Sequence, residues 1–323
     1  MIIKFQNEAD ASHFVEKAGK GYQHLNRVAL VGDFDVTTIK TLAQNKGAEI
    51  IDQHPSYVKS SRAFHPEDTI IKTNHSVIGG SNFTLMAGPD SVESQQHILK
   101  MGEAVQKAGA TVLRGGSYKP RTSPYTFQGL GEKGLIYHRE AADHLGMDMV
   151  TEIMDTREID LVDQYTDIFQ VGARNMQNFS LLKGLGKKRK PVLLKRGMSA
   201  TIDDLLNAAE YIASGGNDQV ILVERGIRTF DQKYTRNTFD VGAIPVLKHL
   251  THYPVIGDPS HAAGWTQYVN SIGLAATAAG VHGLIVEIHD HPQQAFVDGA
   301  QALTPDQFLE LGRKSIQIHD LIS

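Results

Sequence analysis

The feature that most constrains the fold is a regular alternation of short apolar runs with amphipathic segments between residues 83 and 287. Eight runs predict strands: FTLMAG (83–88), ATVLRG (110–115), MDMVTE (147–152), DIFQVG (167–172), PVLLKR (191–196), QVILVE (219–224), YPVIGD (253–258) and HGLIVE (282–287). Segments of helical period separate them. Eight such units in about 240 residues indicate a closed (β/α)8 TIM barrel, with an open doubly wound sheet as the rival. Polar residues follow nearly every strand, which favours the barrel because its strand ends converge on one mouth.

The first 65 residues have a different organisation. Short apolar runs predict strands over 1–5, 27–34 and 48–53, and helical patterns cover 8–18 and 37–46. This order predicts a small ferredoxin-like α+β domain over residues 1–65, followed by the barrel domain over 66–323. The polar stretch 56–69 reads as the connection between them.

Composition excludes several classes of protein. The 323 residues carry 32 basic and 36 acidic side chains, a net charge of −4, so we expect neither a nucleic-acid nor a membrane partner. The absence of cysteine excludes disulfides, thiolate nucleophiles and cysteine-based zinc sites. No stretch approaches the roughly 18–20 apolar residues of a membrane span, and no signal peptide is evident. We therefore expect a cytoplasmic protein.

Basic side chains gather after four of the eight strands. They are Arg114, Lys119, Arg121, Arg174, Lys195 and Arg225. An unpaired charge is costly at the end of a buried strand. We therefore expect these side chains to pair with acidic side chains or with a ligand. A surplus of cations predicts a polyanionic ligand carrying phosphate and carboxylate groups. The glycines of RGG (114–116) and VGAR (171–174) are expected to let backbone N–H groups approach the same anion.

Acidic and imidazole side chains follow the first, seventh and eighth predicted strands. Asp90, His261, Glu287 and Asp298 form a candidate site for a divalent metal with hard ligands. The alternative is structural: His261 caps a helix, Glu287 pairs with a basic residue of the pocket, and Asp90 is an ordinary helix N-cap. Spacing alone does not separate these hypotheses.

Seven motifs carry a resemblance to a known family: GPDSVES (88–94), RGGSYKPRTSPYTFQGLG (114–131), QVGARNMQN (170–178), LLKRG (193–197), ERGIRTF (224–230), DPSHAAG (258–264) and VEIHDHPQQAFVDGAQAL (286–303). Together they resemble the 3-deoxy-D-arabino-heptulosonate 7-phosphate (DAHP) synthases, most closely the type I beta subtype. The resemblance covers residues 63–310 and, more loosely, 1–62. KPRTSPYTFQGLG is its most specific part.

The resemblance implies condensation of phosphoenolpyruvate with erythrose 4-phosphate to DAHP and phosphate, the first step of the shikimate pathway to aromatic amino acids. Lys119, His261 and Asp258 are the implied catalytic residues. The implied phosphoenolpyruvate contacts are Arg114, Lys119, Arg174, Lys195, Arg225 and the backbones of Glu152 and Ala173. Arg121 and Thr122 would hold the aldose phosphate, with Asp258 near its hydroxyls. The related 3-deoxy-D-manno-octulosonate 8-phosphate synthases are the alternative, although they typically lack KPRTS here.

Asp90 departs from the family, whose members usually have cysteine at this position as a metal ligand. One hypothesis keeps a metal site of Asp90, His261, Glu287 and Asp298, whose hard donors favour Mn²⁺, Mg²⁺ or Co²⁺. The others are a metal-independent enzyme and a non-catalytic relative that binds ligands. In this subtype the N-terminal domain can also bind an aromatic amino acid and block the barrel, and the family is commonly tetrameric, which implies a homo-oligomer.

Overall fold

The computed structural model describes residues 2–18, 23–25, 28–30, 41, 47–51, 55–119 and 123–323. The chain divides into two compact units. The first comprises Met1–Asp68 with His249–His252, and the second comprises Thr69–Lys248 with Tyr253–Ser323.

The N-terminal unit is an antiparallel sheet with a packed helix. Its elements are β1 (Ile2–Lys4), α1 (Glu8–Ala18), β2 (Gln23–Leu25), β3 (Val28–Leu30) and β4 (Glu49–Ile51). The strand order is β2-β3-β1-β4. Side chains from β1, α1 and β3 form a small core, in which the rings of Phe5 and Phe14 lie 5.2 Å apart. The predicted helix over 37–46 lies, apart from Thr41, outside the described residues.

The second unit is a closed barrel of eight parallel strands. The strands are β7 (Thr84–Gly88), β8 (Val112–Arg114), β9 (Asp148–Glu152), β10 (Ile168–Val171), β11 (Val192–Lys195), β12 (Val220–Glu224), β13 (Val255–Gly257) and β14 (Gly283–Glu287). Each lies within one of the eight predicted runs, so the (β/α)8 prediction is confirmed. The runs are almost continuously apolar because helices cover one face of each strand and the barrel interior covers the other.

Helices between and after the strands cover the outside of the barrel. They are α2 (Gln95–Lys107), α3 (Glu132–Leu145), α4 (Ile159–Tyr165), α5 (Phe179–Leu185), α6 (Ile202–Ser214), α7 (Ala243–Leu250), α8 (Pro259–Ala263), α9 (Thr266–Ala278) and α10 (Pro305–Ile322). Side-chain caps set their starts: Ser94 accepts a hydrogen bond at α2, and Thr201 forms a capping box with Asp204 at α6. No helix in the described part of the chain is long and apolar enough to cross a bilayer.

A short hairpin closes one end of the barrel. Its strands are β5 (Ile71–Lys72) and β6 (Val77–Ile78), and Ile71 and Ile78 belong to the core cluster that fills the barrel interior. Thr84, the first residue of β7, donates a hydrogen bond to the carbonyl of Val77. The hairpin therefore covers the N-terminal ends of the strands, which leaves the C-terminal ends for a functional site.

His138 of α3 makes the barrel sensitive to acid. The imidazole is fully buried, its Nε2 lies 3.1 Å from the carbonyl oxygen of Leu113, and its Nδ1 has no partner among the described residues. Burial lowers the pKa of His138 to about 3. Because the unfolded imidazole has a pKa of about 6.5, the unfolded state binds the extra proton, and stability is lost as pH falls from about 6.5 towards 3.

We expect His138→Gln to reduce this acid sensitivity. Between pH 7 and pH 5, its free energy of unfolding should fall by up to about 2 kcal/mol less than that of the wild type, since one titrating group is removed. Urea unfolding at both pH values measures the difference. His144→Gln, an exposed change on the same helix, is the control. An identical pH dependence in the wild type and His138→Gln would contradict the assignment.

Candidate active site

A cavity of about 410 Å³ lies at the C-terminal ends of the barrel strands. Its walls include most of the predicted site residues: Asp90, Arg114, Lys119, Glu152, Ala173, Arg174, Lys195, Arg225, His261 and Asp298. Arg121 and Thr122 lie outside the described residues. The ends of strands far apart in sequence therefore meet around one space, as barrel closure requires.

Arg114 joins two acidic residues from either side of the barrel seam. Its Nη2 donates to Asp90 Oδ1 at 2.7 Å and to Glu287 Oε1 at 2.8 Å. Lys119 Nζ lies 2.7 Å from the other carboxylate oxygen of Asp90. All four side chains are almost completely buried. The basic and acidic residues of the site therefore alternate and pair with each other in the structure. In the sequence they follow different strands.

Asp258 organises a second group of charges. It is the N-cap of α8, where its Oδ1 accepts from the backbone N–H of His261 at 3.0 Å. Its Oδ2 lies 2.7 Å from both Lys195 Nζ and His261 Nδ1. Burial alone would raise the pKa of Asp258, but the charges of His261 and Lys195 outweigh it and hold the pKa well below its usual range. Asp258 thus fixes the directions of both side chains.

Arg225 differs from these paired cations. The residue is 5 % exposed, and its Nε and Nη1 have no hydrogen-bond partner within the described ranges. Burial lowers the pKa of Arg225, and Asp258 only partly opposes this. Arg174 and Arg228 line the same cavity. A buried guanidinium with unsatisfied donors costs free energy unless an anion accepts its hydrogen bonds.

Three side chains form a possible metal-binding group. One ligating atom each from Asp90, His261 and Glu287 lie within 4.8 Å of one another, and His261 Nε2 is 3.0 Å from Glu287 Oε1. Burial raises the pKa of Glu287 well above its usual range, and the neighbouring charge of Asp90 adds to this effect. A divalent cation would relieve that repulsion, so the donor set fits one.

Asp298 is not part of this group of ligating atoms. Its carboxylate pairs with Arg236, whose Nη1 lies 3.1 Å from Oδ2. Asp298 is also the only non-glycine residue with positive φ in the described part of the chain, at 51°. As a metal ligand it would have to exchange this partner for the ion.

Two of the structural alternatives raised by the sequence are wrong, and one is present. Ser94, not Asp90, is the N-cap of α2, and Asp258, not His261, is the N-cap of α8. Glu287 does pair with a basic residue of the pocket, Arg114. This ion pair and a metal ion would share the same carboxylate.

The glycines of RGG do not offer backbone N–H groups to an anion, so that expectation was wrong. The Gly115 N–H donates to the carbonyl of Val150, and the Gly116 N–H donates to the carbonyl of Asp90. Gly116 instead permits close packing. A Cβ at this position would lie 2.9 Å from both Asp90 O and Lys119 Cδ.

Sequence reasoning missed several residues of the cavity wall. They are Gln170, Met198, Arg228, Gln232, Arg236, Asn237 and Val297. Four of them lie on the segment after β12, which an isolated bridge between Ile227 and Thr238 folds back on itself. The sequence does carry one indication of these residues, because several basic side chains lie between 225 and 236, soon after the end of a predicted strand.

The fold and the cavity define a (β/α)8-barrel enzyme with its site at the C-terminal ends of the strands. A family model described as the DAHP synthetase I family matches residues 68–323. The chain therefore belongs to this family.

Individual relatives agree with this assignment. A phospho-2-dehydro-3-deoxyheptonate aldolase of Thermotoga maritima is 50% identical over 266 residues, 82% of this chain and 78% of the relative. The crystal structure of a DAHP synthase from Thermotoga maritima has a TM-score of 0.82 at 42% identity, covering 99% of this chain and 97% of that one. A 2-dehydro-3-deoxyphosphooctonate aldolase of Koribacter versatilis is 31% identical over 245 residues, 70% of this chain and 87% of the relative.

Proposed function

We propose that the cavity carries out the DAHP synthase reaction, in which phosphoenolpyruvate and erythrose 4-phosphate give DAHP and phosphate. The match to the DAHP synthetase I family over residues 68–323 carries this proposal. The octulosonate alternative is less supported, since the relative of that name is 31% identical and the heptonate aldolase is 50% identical.

The cations of the cavity divide into two groups with different roles. Arg225, with unsatisfied N–H donors, and Arg174 bind the phosphate of phosphoenolpyruvate. Arg114, Lys119 and Lys195 are already held by carboxylates, so they present their remaining N–H donors in fixed directions. The backbones of Glu152 and Ala173 complete this subsite, and Arg121 and Thr122 bind the aldose phosphate.

The reaction forms a bond between C3 of phosphoenolpyruvate and the aldehyde carbon. Electron density moves to the aldehyde oxygen, which takes a proton, while water adds at C2 and gives up one proton. Cleavage of the bond between C2 and the phosphate oxygen then releases phosphate, and the new C2 hydroxyl loses its second proton to become the ketone of DAHP. Lys119 is the proposed proton donor to the aldehyde oxygen, since its ammonium lies in the cavity wall beside Asp90. Binding the two polyanions in register against the cations of the cavity offsets their mutual repulsion and orients the reacting carbons.

Asp90, His261 and Glu287 would hold a divalent ion, with Asp298 joining them on release from Arg236. Carboxylate and imidazole donors without sulfur favour Mn²⁺, Mg²⁺ or Co²⁺. When bound, such an ion supplies Lewis-acid polarisation of the aldehyde oxygen. Asp258 is buried behind Lys195 and His261, so we assign it a positioning role in addition to its predicted place near the hydroxyls of the aldose.

Release of phosphate from the two substrates tests the function. We expect turnover with erythrose 4-phosphate, at least 100-fold less with arabinose 5-phosphate, loss of activity in EDTA, and recovery with Mn²⁺. Preference for arabinose 5-phosphate would favour the octulosonate reaction. Full activity in EDTA would contradict the metal assignment, and no phosphate release with any ion would favour a non-catalytic binding protein.

The N-terminal domain, which we place at residues 1–65, is proposed to regulate this reaction by binding an aromatic amino acid. A sheet with its own core is a suitable scaffold for such a site, and two states of different effector affinity would couple it to turnover. We expect phenylalanine or tyrosine to lower the initial rate at least fivefold. Rates unchanged by phenylalanine, tyrosine and tryptophan would contradict the proposal. We also propose a homo-oligomer, which sedimentation measures.

A further inference from the structure

A second cluster of ligating side chains is carried by the same two segments that supply Asp90 and Glu287. Glu93 lies on the loop after β7, His97 lies in the first turn of α2, and His289 and Asp290 follow β14. One ligating atom each from Glu93, His97 and His289 lie within 4.8 Å of one another. Their side chains are only 7–13 % exposed. The proposed reaction uses none of these four residues.

His97 has one ring nitrogen held and the other free. Its Nε2 lies 3.2 Å from Asp290 Oδ1, so the N–H at this position is donated to the carboxylate. Its Nδ1 is buried and has no hydrogen-bond partner in the regions that the structure describes. A buried imidazole nitrogen without a donor loses its hydration and gains nothing in return. Its lone pair is available to a cation.

His289 has a polar neighbour at each ring nitrogen. Its Nδ1 lies 3.3 Å from Asp290 Oδ1, and its Nε2 lies 3.4 Å from Glu93 Oε2. The backbone N–H of His291 is within reach of both His289 Nδ1 and Asp290 Oδ1. Nδ1 therefore accepts the His291 N–H, the proton of the neutral imidazole lies on Nε2 beside Glu93, and a cation bound by Nε2 would displace that proton.

The surrounding residues fix the two carboxylates. Lys100 Nζ lies 2.6 Å from Asp290 Oδ2, so Asp290 remains ionised and keeps its other oxygen for His97. Glu93 Oε1 accepts from the backbone N–H of Phe296 at 2.9 Å, which leaves Oε2 directed towards His289. Histidine ligands of metal ions commonly donate their second ring nitrogen to a carboxylate in this way.

We propose that Glu93, His97 and His289 form a second divalent metal site, with Asp290 orienting the imidazole of His97. The ligands are Glu93 Oε2, His97 Nδ1 and His289 Nε2. Two imidazoles and one carboxylate are a donor set that zinc takes with water in its fourth position. The site joins the loop after β7 to the segment after β14, so an ion there stiffens the backbone on which Asp90 and Glu287 are mounted. The proposed site does not depend on the proposed function.

Zinc binding to the metal-stripped protein tests the proposal. Equilibrium dialysis against Zn²⁺ with elemental analysis should give two equivalents per chain for the wild type and one each for His97→Gln, Glu93→Gln and His261→Gln. His144→Gln, the exposed control, should retain two. Asp290→Asn should keep the second equivalent but bind it about 10–100-fold more weakly, since only the orienting carboxylate is changed. Circular dichroism confirms folding of each variant, and Glu93→Gln serves where His97→Gln fails to fold.

The stoichiometry separates this proposal from the metal assignment of the active site. One equivalent that His97→Gln or Glu93→Gln removes and His261→Gln retains would support the second site and count against the first. One equivalent that only His261→Gln removes would overturn the second site. Zinc binding that none of the three substitutions alters, or no binding by the wild type, would also overturn it. In those cases the cluster is an ion-pair network.

Discussion

Replacing Arg225 with methionine should lower kcat/KM for phosphoenolpyruvate by about 10²- to 10⁴-fold and leave the protein as stable as before or more so. Each hydrogen bond to a charged partner contributes about 1.5–3 kcal/mol, and two are lost. In the protein without substrate, however, Nε and Nη1 of Arg225 are buried and satisfied by no described residue. Burying these N–H groups without a partner costs free energy in the folded protein. Methionine does not carry this cost, so the free energy of unfolding should rise by up to about 2 kcal/mol.

Phosphate-release kinetics and urea unfolding of the same preparation measure both effects. Arg157→Met is the matched control, because Arg157 is exposed, pairs locally with Asp155 and does not line the cavity. It should change neither quantity measurably. If Arg225→Met unfolded more easily by more than about 1 kcal/mol and lost less than tenfold in kcat/KM, Arg225 would be a structural residue and the phosphate assignment would be wrong.

The barrel could be predicted from sequence because each strand is buried on both faces. In the run VILVE at β12, for example, every side chain is buried, so its apolar composition alone identifies it as a strand. The three-residue strand β2, Gln23–Leu25, carries no such signal, since two of its residues are polar and it is too short to show a period. Length and burial, more than propensity, decided which strands were predicted.

Many residues of the site could be predicted from the sequence, but the ion pairs and hydrogen bonds between them could not. Arg114 and Glu287 are 173 positions apart, and only closure between β7 and β14 places them 2.8 Å from each other. Arg236 was missed because it lies in a long segment without a helical or strand period, twelve residues beyond the end of β12. The cluster of Glu93, His97 and His289 was missed for a similar reason, since Glu93 and His289 are 196 positions apart in the sequence.

Replacing Arg114 with methionine should destabilise the protein strongly, in contrast to Arg225. The guanidinium is shared by the buried carboxylates of Asp90 and Glu287, and removing one partner of a buried ion pair costs about 3–5 kcal/mol. Activity should fall at least 100-fold as well. Arg114→Lys is the control. It keeps the charge but loses the planar fork, so its loss of stability should be smaller.

The destabilisation by Arg114→Met should also depend on pH in a defined direction. Without the guanidinium, burial and mutual repulsion raise the pKa of the Asp90 and Glu287 carboxyls in the folded state. The folded protein then binds more protons than the unfolded chain, so the variant loses stability as pH rises through those raised pKa values. The difference from the wild type, measured by urea unfolding, should be larger at pH 8 than at pH 5.5.

A divalent ion should reverse part of this loss. Arg114 Nη2 donates to oxygens of the same two carboxylates that would ligate the ion, so the guanidinium and the ion compete for them. Mn²⁺ should therefore raise the midpoint of unfolding more in Arg114→Met than in the wild type, because in the variant it replaces the missing positive charge. An equal or smaller effect of Mn²⁺ on the variant would mean that Asp90 and Glu287 do not ligate the ion, and that Arg114 is their permanent counter-ion.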